Sequence, residues 1–204
     1  AKDWLWYSMF KLNYDRIFAK KHHITGLALV EAQANKNDNF FAYREGFIST
    51  EVDEMFAGSD ENKNNGGGAS EGGRMSYVFK LGYSYDNRYL FDFVGRIDGS
   101  AKFYKDNRWG FFPGISAAWR ISEEPFFKEK FTNVDNLKLR LSVGQTGDEA
   151  NVNFNYLTGY IFGNSWIFDT GEAISKGLKS KGLANKDARW AETTTYNIGI
   201  DYSI

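Results

Sequence analysis

The 204-residue sequence predicts an all-β chain, part of a large antiparallel up-and-down transmembrane β-barrel with about seven strands and long extracellular loops. Three observations predict it. Apolar and polar residues alternate with a period of two over long runs, which places them on opposite faces of a strand. The apolar face is aromatic: 18 Phe, 12 Tyr and 6 Trp make 18% of the chain, beside 21 Gly and only 2 Pro. Finally, the connections between runs alternate between short and long, as outer-membrane barrels require of their periplasmic turns and extracellular loops.

Taken in order, residues 4–16 alternate, with Trp4, Trp6, Phe10, Leu12 and Tyr14 on one face and Tyr7, Met9, Lys11, Asn13 and Asp15 on the other. Ala19, Lys20 and Lys21 form a short turn, and residues 22–34 return. Ile24, Gly26, Ala28, Val30 and Ala32 take the lipid face there, and Leu27 and Leu29 fall on the polar side with Glu31 and Gln33. Residues 35–73 read as a long polar loop, with a short helix at 50–56 and a mobile, low-complexity Asn/Gly/Glu stretch at 59–73.

The clearest hairpin follows. Met75, Tyr77, Phe79, Leu81, Tyr83 and Tyr85 alternate with Ser76, Val78, Lys80, Gly82 and Ser84. Asp86-Asn87 makes the tight turn, and Tyr89, Phe91, Phe93, Gly95 and Ile97 return opposite Leu90, Asp92, Val94, Arg96 and Asp98. Residues 99–110 connect to a strand at 110–122, and 123–135 form a turn with a helical bend at Pro125. Residues 137–145 are regular, with Leu137, Leu139, Leu141 and Val143 on one face. Residues 146–189 are a second long loop, holding a short strand at 153–162, before a last strand at 193–204. An odd number of such strands leaves two open edges in lipid, so the chain reads as part of a larger barrel.

Composition excludes several classes. A net charge of -1 and a pI near 6.2 give no electrostatic basis for nucleic-acid binding. With no cysteine, disulfides and thiolate metal sites are excluded. No run approaches the roughly 20 apolar residues of a membrane helix, which a barrel does not need. The start, Ala1-Lys2-Asp3-Trp4, lacks the basic and apolar regions of a signal peptide, so a processed chain or a piece of a longer one is expected.

Candidate chemistry is sparse. His22-His23 suggest a metal, but neighbours on a strand point to opposite faces, and a strand start at the periplasmic rim explains them better. Asp60, Glu61, Asn62 and Asn64 suggest calcium, yet their spacing lacks the alternate ligands and closing Glu of a calcium loop; a solvated loop explains them better. Asp92, Arg96, Asp98 and Lys80 share the polar face, where charge pairing between neighbouring strands accounts for them without catalysis. Trp4, Trp6, Tyr83, Tyr85, Tyr89, Trp109, Trp119 and Tyr202 lie near strand ends, as an interfacial girdle or as sugar-stacking platforms, and the girdle is preferred. For the loop aromatics Tyr156, Tyr160, Phe162, Trp166 and Phe168, contact with cargo or a partner is an equal alternative. No catalytic, cofactor-binding or metal residue is assigned, no cofactor is expected, and cargo-binding residues stay unassigned. The competing fold is a soluble all-β carbohydrate-binding sandwich, which calls for an aliphatic core and frequent tight turns.

A series of motifs resembles the SusC/RagA family of TonB-dependent outer-membrane transporters. They are Asp86-Asn87-Arg88-Tyr89-Leu90, Arg96-Ile97-Asp98-Gly99-Ser100 and Asn107-Arg108-Trp109-Gly110-Phe111-Phe112-Pro113. Then come Ser116-Ala117-Ala118-Trp119-Arg120-Ile121-Ser122-Glu123-Glu124, Val134-Asp135-Asn136-Leu137-Lys138-Leu139-Arg140, Gly144-Gln145-Thr146-Gly147 and, last, Trp190-Ala191-Glu192-Thr193-Thr194-Thr195-Tyr196-Asn197-Ile198-Gly199-Ile200-Asp201. The resemblance implies that residues 1–204 are a barrel portion, without plug, of a 22-stranded barrel in the bacterial outer membrane. Its implied partners are the rest of the barrel, outer-membrane lipid, a SusD-like surface lipoprotein, the TonB complex, and an oligosaccharide or peptide cargo. It implies transport and no enzymatic activity.

Overall fold

Alternation over these runs builds one seven-stranded antiparallel sheet in the computed structural model, which describes residues 1–49, 51, 52, 54–149, 152–167 and 174–204. The wall strands are β1 (Lys2–Phe18), β2 (His22–Arg44), β3 (Lys63–Tyr85), β4 (Tyr89–Ser100), β5 (Trp109–Arg120) and β6 (Asn136–Asp148). A small separate hairpin, β7 (Tyr160–Ile167) and β8 (Ile174–Ser180), precedes the seventh wall strand, β9 (Ala191–Ser203), which pairs with β6.

The short turns gather at one rim. Ala19 and Lys20 (φ 47° and 60°) close β1–β2, and Asp86 and Asn87 (φ 50° and 55°) close β3–β4. Both are three-residue connections built on a turn with two left-handed central residues, the twist that a hairpin needs. Lys21 N–H donates to Phe18 O at 3.1 Å and Arg88 N–H to Tyr85 O at 2.9 Å. The third connection at this rim carries the one-turn helix α1 (Pro125–Lys128), with Pro125 at its start, where a missing N–H does no harm.

Register sorts the side chains into two faces. One outer row runs Phe10, Val30, Tyr77, Ile97, Phe111; another runs Leu81, Phe93, Ile115, Val143, Tyr196. Phe79 lies flat over Gly95, where any Cβ would collide with its ring, and it stacks on Phe111 at 6.4 Å. The inner rows read Asp15, Thr25, Gly82, Asp92, Ser116, Ser142, Asn197 and Met9, Glu31, Ser76, Asp98, Gly110.

Burial is inverted relative to a water-soluble domain. Among the described residues, Phe103 and Phe112 are the buried hydrophobics, whereas Ser76, Asp98, Ser100, Ser122 and Glu124 are buried polar groups. Total accessible surface is 15541 Å². A compact 23.3-kDa monomer would expose about 9,700 Å². A sandwich would cover its apolar face, so this surplus on an aromatic face excludes one. The outer face carries aromatic belts at both ends. Tyr85, Tyr89 and Trp119 mark the short-turn rim, and Tyr77 packs tilted against Trp109 (5.9 Å) near the other. From Tyr85 to Met75, opposite the Trp109 end, at about 3.4 Å per residue and about 40° of tilt, the band spans about 26 Å, the height of an outer-membrane apolar belt.

The structure corrects three expectations. Residues 35–73 are not one loop, because β2 continues to Arg44 and β3 begins at Lys63, which makes most of 59–73 a strand. Above the membrane both faces of a ribbon are wet, so its backbone ladder persists without alternation. In place of a helix over 50–56, the described residues hold a 3₁₀ turn at Met55–Ala57; residues 50 and 53 lie outside the description. The strand expected at 153–162 begins instead at Tyr160 and belongs to the β7–β8 hairpin, whose ladder shifts between Phe162 and Ser165.

The lumenal wall as candidate functional site

The inner face is organised around Arg96. Its Nη2 donates to Glu31 Oε1 (2.6 Å) on β2 and to Ser76 Oγ (3.0 Å) on β3, and its Nε donates to both Asp98 oxygens at 2.7 and 2.8 Å. The planar guanidinium fork thereby ties three adjacent strands at one level. Glu31 also accepts from Tyr7 Oη–H at 3.2 Å, extending the network to β1. Lys80 and Asp92 pair separately at 3.1 Å. The sequence placed Arg96, Asp98, Lys80 and Asp92 on this face. Glu31, the remaining carboxylate, becomes a partner only through the β2–β3 register.

Where β5 and β6 part, Pro113 has no N–H to donate and pairing between these strands begins at Gly114 opposite Gly144. Phe112 fills the gap, lying over Gly147, where any Cβ would meet its ring. Trp190 packs edge-on against Phe112 (5.5 Å), lies tilted against Phe103 (5.0 Å) and donates its indole N–H to Arg108 O at 3.1 Å. This compact cluster lies on the inner side and fixes the start of β9.

Above it, at the long-loop rim, lies a cavity of about 800 Å³ lined by Gln33, Asn35, Arg74, Lys102, Glu149 and Lys181, among others. Glu149 is ion-paired with Arg74 and lies 3.3 Å from Lys102 Nζ. Burial pushes its carboxyl up, but hydrogen bonds from Ser100 and Arg74 and the nearby Arg74 and Lys102 charges outweigh this and hold it below the usual carboxylate range.

The remaining sequence candidates separate. His22 Nδ1 lies 2.9 Å from Tyr83 Oη, and its ring is 5.1 Å from Tyr85, whereas His23 Nε2 lies 2.8 Å from Asp15 Oδ1. The two imidazoles thus serve opposite faces. Asp60 is paired with Arg44 and, at 3.0 Å, with Lys63, and Asn62 donates to Glu45 Oε2 at 3.1 Å. Among the described residues no group of three His, Asp or Glu side chains is placed to hold a metal ion. Tyr89 Oη–H and Trp119 Nε1–H are more than girdle groups, since both donate to buried Glu124 Oε1, at 2.6 and 3.0 Å. Arg88 adds a bond to Glu124 Oε2 at 3.0 Å and pairs with Asp86. The Tyr89 hydrogen bond, then those from Trp119 and Arg88, hold Glu124 below the usual carboxylate range against the effect of burial. Tyr156 donates to Ala101 O at 3.3 Å, whereas Tyr160, Phe162 and Trp166 are exposed, and Phe168 lies outside the described residues.

No family model matches the chain. Among curated proteins, it is 42% identical over 131 residues to the TonB-dependent receptor SusC of Bacteroides thetaiotaomicron, covering 63% of this chain and 13% of that one. It is 34% identical over 199 residues to the TonB-dependent receptor P39 of Formosa agariphila, covering 94% of this chain and 18% of the other. In fold it superimposes on a solved structure of the RagAB peptide transporter with a TM-score of 0.84 at 24% identity, over 98% of this chain and 22% of that one. The chain therefore spans under a fifth of the length of these curated relatives.

Proposed function

From the premise that the chain belongs to the SusC/RagA family of TonB-dependent outer-membrane receptors, as a stretch of barrel wall, we propose that it lines the import route of a transporter for oligosaccharides or peptides. In this reading the complete transporter works with a SusD-like surface lipoprotein above the long loops and draws energy from the TonB complex of the inner membrane. The observation that carries it is the inverted wall: an aromatic, belted outer face and a charged, hydrogen-bonded inner face across the same seven strands. Lumenal charges are here tied to one another, which leaves a polar, water-accepting surface along which a hydrophilic solute passes. The names of the relatives, all receptors or transporters, agree with transport and give no support to an enzyme.

The test uses the full-length polypeptide purified from outer membranes in detergent, with peptide mapping of every co-purifying chain, and uptake measured in cells with and without a functional TonB complex. Import of a peptide or oligosaccharide pool that stops without TonB, together with a co-purifying surface lipoprotein, is expected. A water-soluble, monodisperse protein containing these residues, or uptake unchanged when the polypeptide is deleted, overturns the reading.

A further inference from the structure

The upper half of β3 has an open edge. β4 ends at Ser100, opposite Arg74, while β3 extends a further 11 residues, down to Lys63, where β2 is its one paired strand among the described residues. Ala101 N–H donates to Gly73 O at 2.9 Å, so the backbone polar groups of Gly73 face the β4 side. A strand's period of two then puts those of Glu71, Ala69, Gly67 and Asn65 on the same side. Among the described residues, none of these four donates a backbone hydrogen bond in that direction. Over about 20 Å, a ladder of N–H and C=O groups has no backbone partner on this side among the described residues.

Open edges are usually blunted by proline, lysine, a bulge or a covering loop. Between Asn64 and Gly73 this one has no proline, lysine or bulge: its residues are Asn65, Gly66, Gly67, Gly68, Ala69, Ser70 and Gly72, with Glu71 tied to Lys36 at 3.1 Å, and Asn153, Phe154 and Leu157 stand across the cavity from it. These small residues add no bulky side chain of their own to the edge, and the Phe41 ring and Asn35 amide of β2 lie over Gly66 and Gly72. The edge at Ala69–Gly73 is also one wall of the 800 Å³ cavity, whose Gln33, Asn35 and Arg74 stand on the lumen-facing rows. It therefore borders the space a solute crosses.

We infer that the free edge of β3 is a strand-addition site that takes an extended segment of peptide cargo into the cavity beside Arg74 and Glu149. An alternating series of amide donors and acceptors matches another peptide backbone, whereas sugar hydroxyls have no such repeat. This inference rests on the import role proposed above and narrows its cargo.

The test uses the full-length transporter with its co-purifying partner in detergent, incubated with a tryptic digest of casein. Retained peptides are identified by mass spectrometry, and one is resynthesised with N-methyl groups at alternate residues in each of the two frames. One frame is expected to weaken binding about tenfold, on the scale of two lost amide hydrogen bonds, and the other by less than about twofold. The paired variant Asn65→Pro with Ala69→Pro, whose missing N–H groups face the open edge, is expected to weaken binding similarly while preserving heat-modifiable mobility on gels. Ala69→Gly, which keeps its N–H, leaves binding within about twofold. Equal effects of both methylation frames, or retention unchanged in the proline variant, overturn strand addition. Retention of maltooligosaccharides and of no casein peptide overturns the peptide site and leaves the import role standing. Loss of the import role itself is read separately, in the TonB-dependent uptake assay.

Discussion

Ile115 and Ser116 are adjacent on β5 and face opposite ways, so lysine at each tests the assignment of lipid and lumen. Ile115 is in the outer row with Leu81, Phe93 and Val143, four residues from belt residue Trp119 and six from Trp109. At about 3.4 Å per residue and about 40° of tilt, it lies about 10 Å inside one interface and about 16 Å inside the other, close to the bilayer midplane. A charge there costs about 2–4 kcal/mol, a factor of about 30 to 1,000 in the folding equilibrium. Ser116 pairs across from Asp92 on the wet face, where Lys gains an acidic neighbour and costs less than about 1 kcal/mol. The assay is urea unfolding of the full-length transporter in phospholipid vesicles, followed by tryptophan fluorescence. Ile115→Lys should lower the midpoint strongly and Ser116→Lys barely. Equal penalties, or a larger one at Ser116, refute the face assignment and with it the transmembrane reading.

Three further perturbations are measured the same way. Arg96→Met leaves Glu31 and Asp98 facing each other without their shared cation; because the site is partly wet, a loss of about 2–3 kcal/mol is expected rather than the 3–5 of a fully buried pair, and adding Glu31→Gln and Asp98→Asn should restore more than half of it. Ala19→Gly removes a left-handed alanine from the β1–β2 turn and should stabilise by about 1 kcal/mol, whereas no gain would mean that the turn relaxes in the membrane. Glu124 has a lowered pKa in the fold, so the stability it contributes is present above the ordinary glutamate pKa and is lost as pH falls through the lower, folded value. Wild type should therefore lose stability on acidification below about pH 4, whereas Glu124→Gln should start less stable and show a flatter profile; identical profiles would remove Glu124 from the account.

The seven wall strands were legible because lipid and water impose opposite demands on successive residues, and Phe79, Leu81, Phe93 and Ile115 against Lys80, Asp92 and Ser116 record that demand directly. The signal stops where the bilayer stops. Asn64–Gly73 and Ala34–Tyr43 form a ladder as regular as the one below them, but water wets both of their faces and their sequence carries no alternation. Long-range partners were equally hidden. Nothing within β2 says that Glu31 meets Arg96, and Tyr89 and Trp119 resemble any belt residues until the bend at Ile121–Glu123 carries Glu124 back beneath them.

An open strand edge has a different meaning on each side of the membrane interface. The outer edges of β1 and β9 lie at membrane depth, where every unpaired amide or carbonyl costs several kcal/mol, so further strands must cover them. The relatives, of which this chain spans 13% and 18%, have the length to supply such strands. The upper edge of β3 stands beyond the second aromatic belt, where water satisfies the same groups at little cost, and it can persist unpaired. The surplus of about 5,800 Å² over a compact monomer thus divides by solvent. Lipid covers the aromatic face, and neighbouring strands close the edges in the bilayer. The glycine-rich edge above it stays available for exchange, because a bound strand there displaces only water and can leave again.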